Sequence, residues 1–209
     1  MSWGLCGSHR TGKSTLAKAF AEQTGVKYVA TGASATFERL GFDPKKDYDF
    51  GTRLMIQREI LKDVDALYER SGVRFITDRT PIDLLGYTLA DVTRENVSGA
   101  LAAELLRYMT DCFASINRHF TTLVLVQPGI ELIEAEGKAP ANPAYVEHLN
   151  ALMLGLLAGG KLECDYFQIP RACTDLKQRV AAMSQAVGKS ASRHVAKMEA
   201  LHETGLVLH

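Results

Sequence analysis

Eight residues near the start of the chain, Gly7-Ser8-His9-Arg10-Thr11-Gly12-Lys13-Ser14, follow the spacing G-x-x-x-x-G-K-S, and Thr15 comes next. Residues of these types at this spacing bind polyphosphate. Glycine carries no Cβ, so the backbone can curl tightly and approach an anion. Loop N–H groups, together with the free N–H groups of a following helix, then converge on one spot and favour negative charge. Lys13 has the reach for the β- and γ-phosphates, and the Ser14 hydroxyl can join the shell of a Mg²⁺ ion. The context agrees: the apolar run Trp3-Gly4-Leu5-Cys6 precedes the loop and Leu16-Ala17-Lys18-Ala19-Phe20 follows, giving strand, loop and helix in order. Residues 7–15 are therefore the expected contacts of a nucleoside triphosphate.

A second cluster lies at Asp78-Arg79. The apolar, β-branched stretch Val73-Arg74-Phe75-Ile76-Thr77 reads as a strand, and open α/β sheets place their ligands beyond the carboxyl ends of strands. An acid there can hold Mg²⁺, with Ser14, or accept the proton of an attacking hydroxyl. The adjacent arginine offers a planar fork suited to phosphate. The structural alternative is that Asp78 caps a helix opening near Thr80-Pro81.

Elements able to position these groups alternate along the chain. Helices are expected over residues 14–23, 52–69, from 81, over 98–118, 143–157, 174–187 and 190–202. Strands are expected over 26–30, 73–77, 121–127 and 165–169, in addition to the run before the loop. Leu54, Leu61, Val64 and Tyr68 share one face of the second helix, and Leu101, Leu105, Tyr108, Met109, Cys112, Phe113 and Ile116 form a broad stripe on another. Strand and helix in alternation specify a parallel sheet with helices on both faces. The expected fold is thus a three-layer α/β/α arrangement around five parallel strands, in one domain over residues 1–209.

Composition narrows the class. With 209 residues, 46% hydrophobic and 23% charged, the chain can bury a substantial core. Lys+Arg and Asp+Glu both number 24, a balance that argues against tight sequence-independent binding of nucleic acid. Cys6, Cys112, Cys164 and Cys173 have no metal-ligand spacing and read as free thiols of a reducing compartment. No signal segment precedes the loop, and the most apolar stretch, residues 151–158, is too short for a membrane span. A cytoplasmic protein without membrane association is expected. The strand over 121–127 ends in Gln127-Pro128 without the acid of hydrolytic ATPases, and no N-K-x-D motif marks a guanine switch. Transfer of a phosphoryl group fits better than hydrolysis.

The two motifs, residues 7–15 and Thr77-Asp78-Arg79-Thr80-Pro81-Ile82-Asp83-Leu84-Leu85-Gly86-Tyr87, resemble those of the small P-loop kinases of nucleosides and nucleotides. Nicotinamide-riboside-kinase-type domains and phage-encoded deoxynucleoside monophosphate kinases look most alike. The resemblance implies the P-loop NTPase fold, with Lys13 and Ser14 serving ATP and Mg²⁺, and with Asp78 and Arg79 facing the acceptor nucleotide or nucleoside. It also implies a lid after the fourth strand, here residues 129–143. Such lids carry arginine, yet no arginine lies between Gln127 and Tyr166, and the lysines there are Lys138 and Lys161. Lys138 is the expected lid cation, with Arg10 able to supply part of the charge. Pro170-Arg171-Ala172-Cys173-Thr174 resembles the adenine loop, where Arg171 can stack on the base.

Two further readings share these motifs. A kinase acting on 5-hydroxymethyluracil in DNA needs a basic groove, for which Arg39, Lys45, Lys46, Arg53 and Arg58 are available. A regulatory module would bind the nucleotide and transfer nothing; residues 189–197 could contact its partner, though they read first as a solvated helix face.

Overall fold

The computed structural model describes residues 1–93, 97–134 and 141–203 of the chain, with side chains through residue 199. Five strands, β1 (Trp3–Cys6), β2 (Lys27–Val29), β3 (Phe75–Thr77), β4 (Thr122–Val126) and β5 (Asp165–Ile169), form one parallel sheet in the order β2-β3-β1-β4-β5. The helices are α1 (Lys13–Thr24), α2 (Ser34–Leu40), α3 (Phe50–Ser71), α4 (Pro81–Ala90), α5 (Gly99–His119), α6 (Pro143–Ala158) and α7 (Leu176–Glu203). They cover both faces of the sheet, the three-layer arrangement that the alternation of elements predicts.

Two apolar cores, one per face, follow from the period-2 side-chain direction of the strands. Leu5, Ile76, Val124 and Val126 point to one side and pack with Leu16, Phe20, Val180 and Met183 of α1 and α7. Cys6, Phe75, Leu123 and Leu125 point to the other and meet α3, α4, α5 and α6. The expected stripes are there: Leu54, Leu61, Val64, Tyr68, Leu105, Tyr108, Cys112, Phe113 and Ile116 are buried, while Leu101 and Met109 pack half-buried at the margin. All five residues of β4 are buried, as a covered parallel strand requires. The four cysteines are free thiols.

Helix ends obey local chemistry. Asp49 accepts from the Thr52 N–H at 3.0 Å and Asn142 from the Tyr145 N–H at 3.1 Å, each satisfying an otherwise orphaned donor. Two expectations differ from the structure. The two C-terminal helices expected to meet near Gly188 are one, α7. A helical glycine costs only about 1 kcal/mol, and the Ser190 hydroxyl, buried and bonded to Thr122 Oγ1 at 2.9 Å, anchors the stretch beyond it. The turn α2 was not expected, because seven residues are too few for a periodic signal. It is held by Thr36, whose hydroxyl donates to Asp63 of α3 at 2.7 Å. Lys138 and the rest of residues 135–140 of the expected lid lie outside the described residues; residues 129–134 carry neither helix nor strand. Among the described residues no helix is long and apolar enough to cross a membrane.

Candidate active site

Parallel pairing of β1 with β3, Trp3 beside Ile76 and Gly4 beside Thr77, sets their carboxyl ends side by side. The glycine-rich loop leaves one and Asp78-Arg79 leaves the other, so both motifs open on a single cleft of about 820 Å³. Gly7 turns with φ 145°, and a Cβ there would stand 2.6 Å from the Val126 carbonyl oxygen, so the loop needs glycine at this point. Arg10 is the one non-glycine residue with positive φ among those described, at 63°.

His9, Arg10, Thr11, Gly12, Lys13, Ser14 and Thr15 line the cleft together with Asp78 and Arg79. Gly7 and Ser8 form the loop's buried base. Lys13 Nζ donates to the carbonyl oxygens of Gly7 and Ser8 at 2.7 and 2.8 Å. A polyphosphate must draw it away from both. The Ser14 hydroxyl donates to Asp78 Oδ2, which also accepts from the Tyr28 phenol at 2.9 Å. Asp78 Oδ1 is buried with no partner among the described residues. A hydroxyl beside a carboxylate with an unused oxygen is a hard-oxygen donor set of the kind Mg²⁺ prefers. The fit is therefore good, with Ser14 and Asp78 as the residues that would hold the ion. Burial, and then the bond to Asp78, push the Tyr28 phenol far above its ordinary pKa, so it remains a donor.

The capping alternative for Asp78 is overturned. Thr80 is the N-cap of α4, and Asp83 completes a capping box: its Oδ2 accepts from the Thr80 N–H at 2.9 Å and from the Thr80 hydroxyl at 3.1 Å. Asp83 does more than cap. Its Oδ1 accepts from the Gly7 N–H at 3.2 Å and lies 3.7 Å from Lys13 Nζ. Burial pushes the Asp83 carboxyl up and the Lys13 ammonium down, and each charge works against the shift of the other. The Gly7 N–H, the Thr80 N–H and hydroxyl and the Lys13 ammonium all face Asp83, a surrounding that favours its carboxylate form against the effect of burial. Only the T-x-x-D spacing hints at this residue in the sequence, and nothing there hints at Lys13 as its neighbour.

Arg10 lines the cleft as expected, whereas Arg171 does not. Arg10 has both terminal guanidinium nitrogens buried without a hydrogen bond, with Glu134 4.0 Å away as its counter-charge. Arg171 forks onto Glu147 of α6, at 2.5 Å for one of the two contacts, and does not line the cleft. A different arginine touches the phosphate loop. Arg179 of α7, 3% exposed, donates to the Thr11 carbonyl at 2.7 Å and to the Cys173 carbonyl at 2.6 Å. It joins the loop after β1 to the loop after β5, a contact between residues far apart in the chain that leaves no local signal.

Apolar and aromatic side chains share the lining of the cleft. Phe37, Ile60 and Leu84 line it, with Tyr87 and Tyr145 flanking His9 at ring distances of 6.5 and 5.8 Å. Two polar groups interrupt this surface. Gln57 has its Oε1 buried without a partner among the described residues, and Arg53 is fixed by Asp91 at 2.9 Å and Asp47 at 3.2 Å.

Comparison with known proteins places the fold. No family model and no curated protein sequence matches the chain. Among solved structures, deoxyadenosine kinase from M. mycoides, with the products dCMP and dCDP bound, is similar at a TM-score of 0.59 and 17% identity, covering 90% of this chain and 100% of its own. The same kinase with dCTP bound gives 0.58 and 16% over the same coverage. The YorR protein of Bacillus subtilis, in complex with phosphorylated GDP, gives a TM-score of 0.56 and 10% identity, covering 90% of this chain and 96% of its own. At these identities the likeness is one of fold. The chain has the three-layer P-loop fold that nucleoside and nucleotide kinases share.

Proposed function

We propose that the protein is an ATP-dependent phosphotransferase that moves the γ-phosphoryl group of ATP to a nucleoside or nucleotide. One observation carries the reading: a phosphate loop and an acid–arginine pair share a cleft that is also lined by Phe37, Tyr87 and Tyr145 and by Gln57, whose buried Oε1 has no partner among the described residues. A nucleobase is flat, apolar on its faces and hydrogen-bonding along its edge. Phe37, Leu84 and Tyr87 suit the faces, and the Gln57 amide, donor and acceptor together, suits the edge. The solved kinases of the same fold, with nucleotides bound, support this assignment.

Each residue then has a task. The triphosphate takes the loop N–H groups and draws Lys13 from the Gly7 and Ser8 carbonyls to its β- and γ-oxygens. Ser14 and Asp78 would hold Mg²⁺, which would supply positive charge to offset that of the phosphates. Arg79, lining the cleft beside Asp78, takes the equatorial oxygens of the transferred group. The bond from phosphorus to the bridging oxygen of ADP breaks as the bond to the acceptor oxygen forms. A hydroxyl acceptor passes its proton to a carboxylate or to water, whereas a phosphate acceptor has little proton to lose. Arg10 supplies the cation that a lid arginine would bring, and Lys138 remains a lid candidate. The segment 129–143 acts as the lid, with Glu131 and Ile133 already on the cleft wall.

Of the five basic residues available to a DNA acceptor, Arg39 is paired with Asp63 and Glu59, and Arg53 with Asp91 and Asp47, which counts against those two as contacts of a DNA backbone. The deciding experiment is a transfer screen with γ-labelled ATP against nucleosides, nucleoside monophosphates and 5-hydroxymethyluracil-containing DNA. Label is expected on a nucleoside or nucleotide. Label on DNA alone would move the assignment to DNA modification, and ATP binding without transfer to any of them would leave a regulatory module.

A further inference from the structure

The buried carboxylate of Asp83 touches three parts of the site at once. Through Oδ1 it meets the first amide of the phosphate loop, Gly7, and stands beside Lys13. Through Oδ2 it holds the backbone and hydroxyl of Thr80, the second residue after Asp78. It is 1% exposed, and Lys13 is 9% exposed, so solvent screens their attraction poorly. A helix cap alone requires neither this depth nor a lysine opposite. A negative charge under a loop designed for anions also works against the ligand: it repels phosphate and competes for the lysine that phosphate needs.

We propose that Asp83 is a positioning residue that holds Lys13 against the carbonyls of the phosphate loop and braces that loop against the turn carrying Asp78 and Arg79, at a cost to nucleotide affinity. The inference rests on the triphosphate reading of the loop. Lys13 donates to the two loop carbonyls and pairs with the Asp83 charge 3.7 Å away, so the loop keeps its curl instead of unwinding around a buried ammonium. When a triphosphate enters, its own negative charge replaces that of Asp83 in front of Lys13. The brace to Thr80 persists, keeping the spacing between donor loop and acid–arginine pair.

The sign of the effect sets this apart from a structural role, because damage to a scaffold weakens binding. Asp83→Asn removes the charge and keeps one oxygen for the Gly7 amide, while its NH2 takes the place of the oxygen that accepts from Thr80, a loss that Thr80→Ala reproduces in part. Calorimetric titration with Mg²⁺ and the non-hydrolysable analogue adenylyl imidodiphosphate is expected to show binding tighter than wild type by about tenfold, the scale of one buried charge pair. Thr80→Ala, which removes a side-chain partner of the same cap without touching Lys13, is expected to bind like wild type. Binding by Asp83→Asn that is unchanged or weaker overturns the proposal, as does equal tightening in Thr80→Ala. Should Asp83→Asn not fold, Lys13→Met in the otherwise native chain decides. Orphaning the carboxylate is expected to lower the melting temperature by about 5 °C or more, and an unchanged or higher melting temperature overturns the pairing. If the wild-type protein binds no triphosphate analogue, the phosphate-site reading fails by itself, and the Lys13→Met melting comparison still tests the pair.

Discussion

Arg179→Met tests how the phosphate loop is supported from behind. The arginine is buried, and its two hydrogen bonds, to Thr11 and Cys173, hold the loop after β1 against the loop after β5. Methionine has similar length and bulk and offers no donor, so the change removes the bonds with little change in volume. Leaving a buried carbonyl without a partner costs about 1–3 kcal/mol each. Against this, no carboxylate among the described residues pairs with Arg179, so removing the guanidinium relieves its desolvation. The difference is a net loss of about 2–3 kcal/mol, or about 5–10 °C in melting temperature for a chain of this size. Trp3 is the single tryptophan, 5% exposed and packed edge-on against Phe20 at 5.8 Å, so its fluorescence reports global unfolding in urea. Arg179→Lys should recover less than half of the loss, because one ammonium on a flexible stem does not replace a fork fixed on two carbonyls. Nucleotide affinity should fall with stability, since Thr11 belongs to the loop. Unfolding of Arg179→Met within about 0.5 kcal/mol of wild type, the range of an ordinary surface change, would refute the support role.

Further outcomes follow from the same geometry. Asp78→Asn should raise the Mg²⁺ concentration needed for half-maximal transfer by about tenfold or more, with the rate restored at high Mg²⁺; a loss of about a hundredfold that no Mg²⁺ concentration restores would make Asp78 the base instead. Gly129→Ala would set its Cβ 2.0 Å from the Arg171 carbonyl oxygen, backbone against backbone, and should cost about 3 kcal/mol or more in urea unfolding. Asp49, capping α3, has its carboxyl held below the ordinary value by the hydrogen bonds from the Thr52 backbone and then its hydroxyl. Its contribution is present above the ordinary carboxylate pKa of about 3.9 and is lost as the pH falls through the lower folded value. Asp49→Ala should therefore be less stable than wild type at pH 7 and nearly equal to it at low pH, as read by urea midpoints at each pH.

Much of this site is local chemistry, and local chemistry is legible in a sequence. The spacing from Gly7 to Ser14 prescribes a curled backbone and a lysine, whatever surrounds them. Apolar periodicity marks the faces of α3 and α5, and alternation of strand and helix implies a parallel sheet that brings two strand ends, and hence Lys13 and Asp78, to one edge. What the chain alone left open are the contacts made across the sheet order. Asp83 is an ordinary capping residue by spacing, and becomes the counter-charge of Lys13 only because β3 lies beside β1. Arg171 and Arg179 look alike as isolated cations on either side of a helix start. Packing of α7 against α1 puts the second behind Thr11 and turns the first outward to Glu147. Gln57 is one glutamine among several until α3, α4 and α6 close a cleft around it. The reason is physical: a residue's intrinsic chemistry travels with its side chain, whereas its partner, its solvent exposure and the sign of its effect are set by the elements that folding brings opposite.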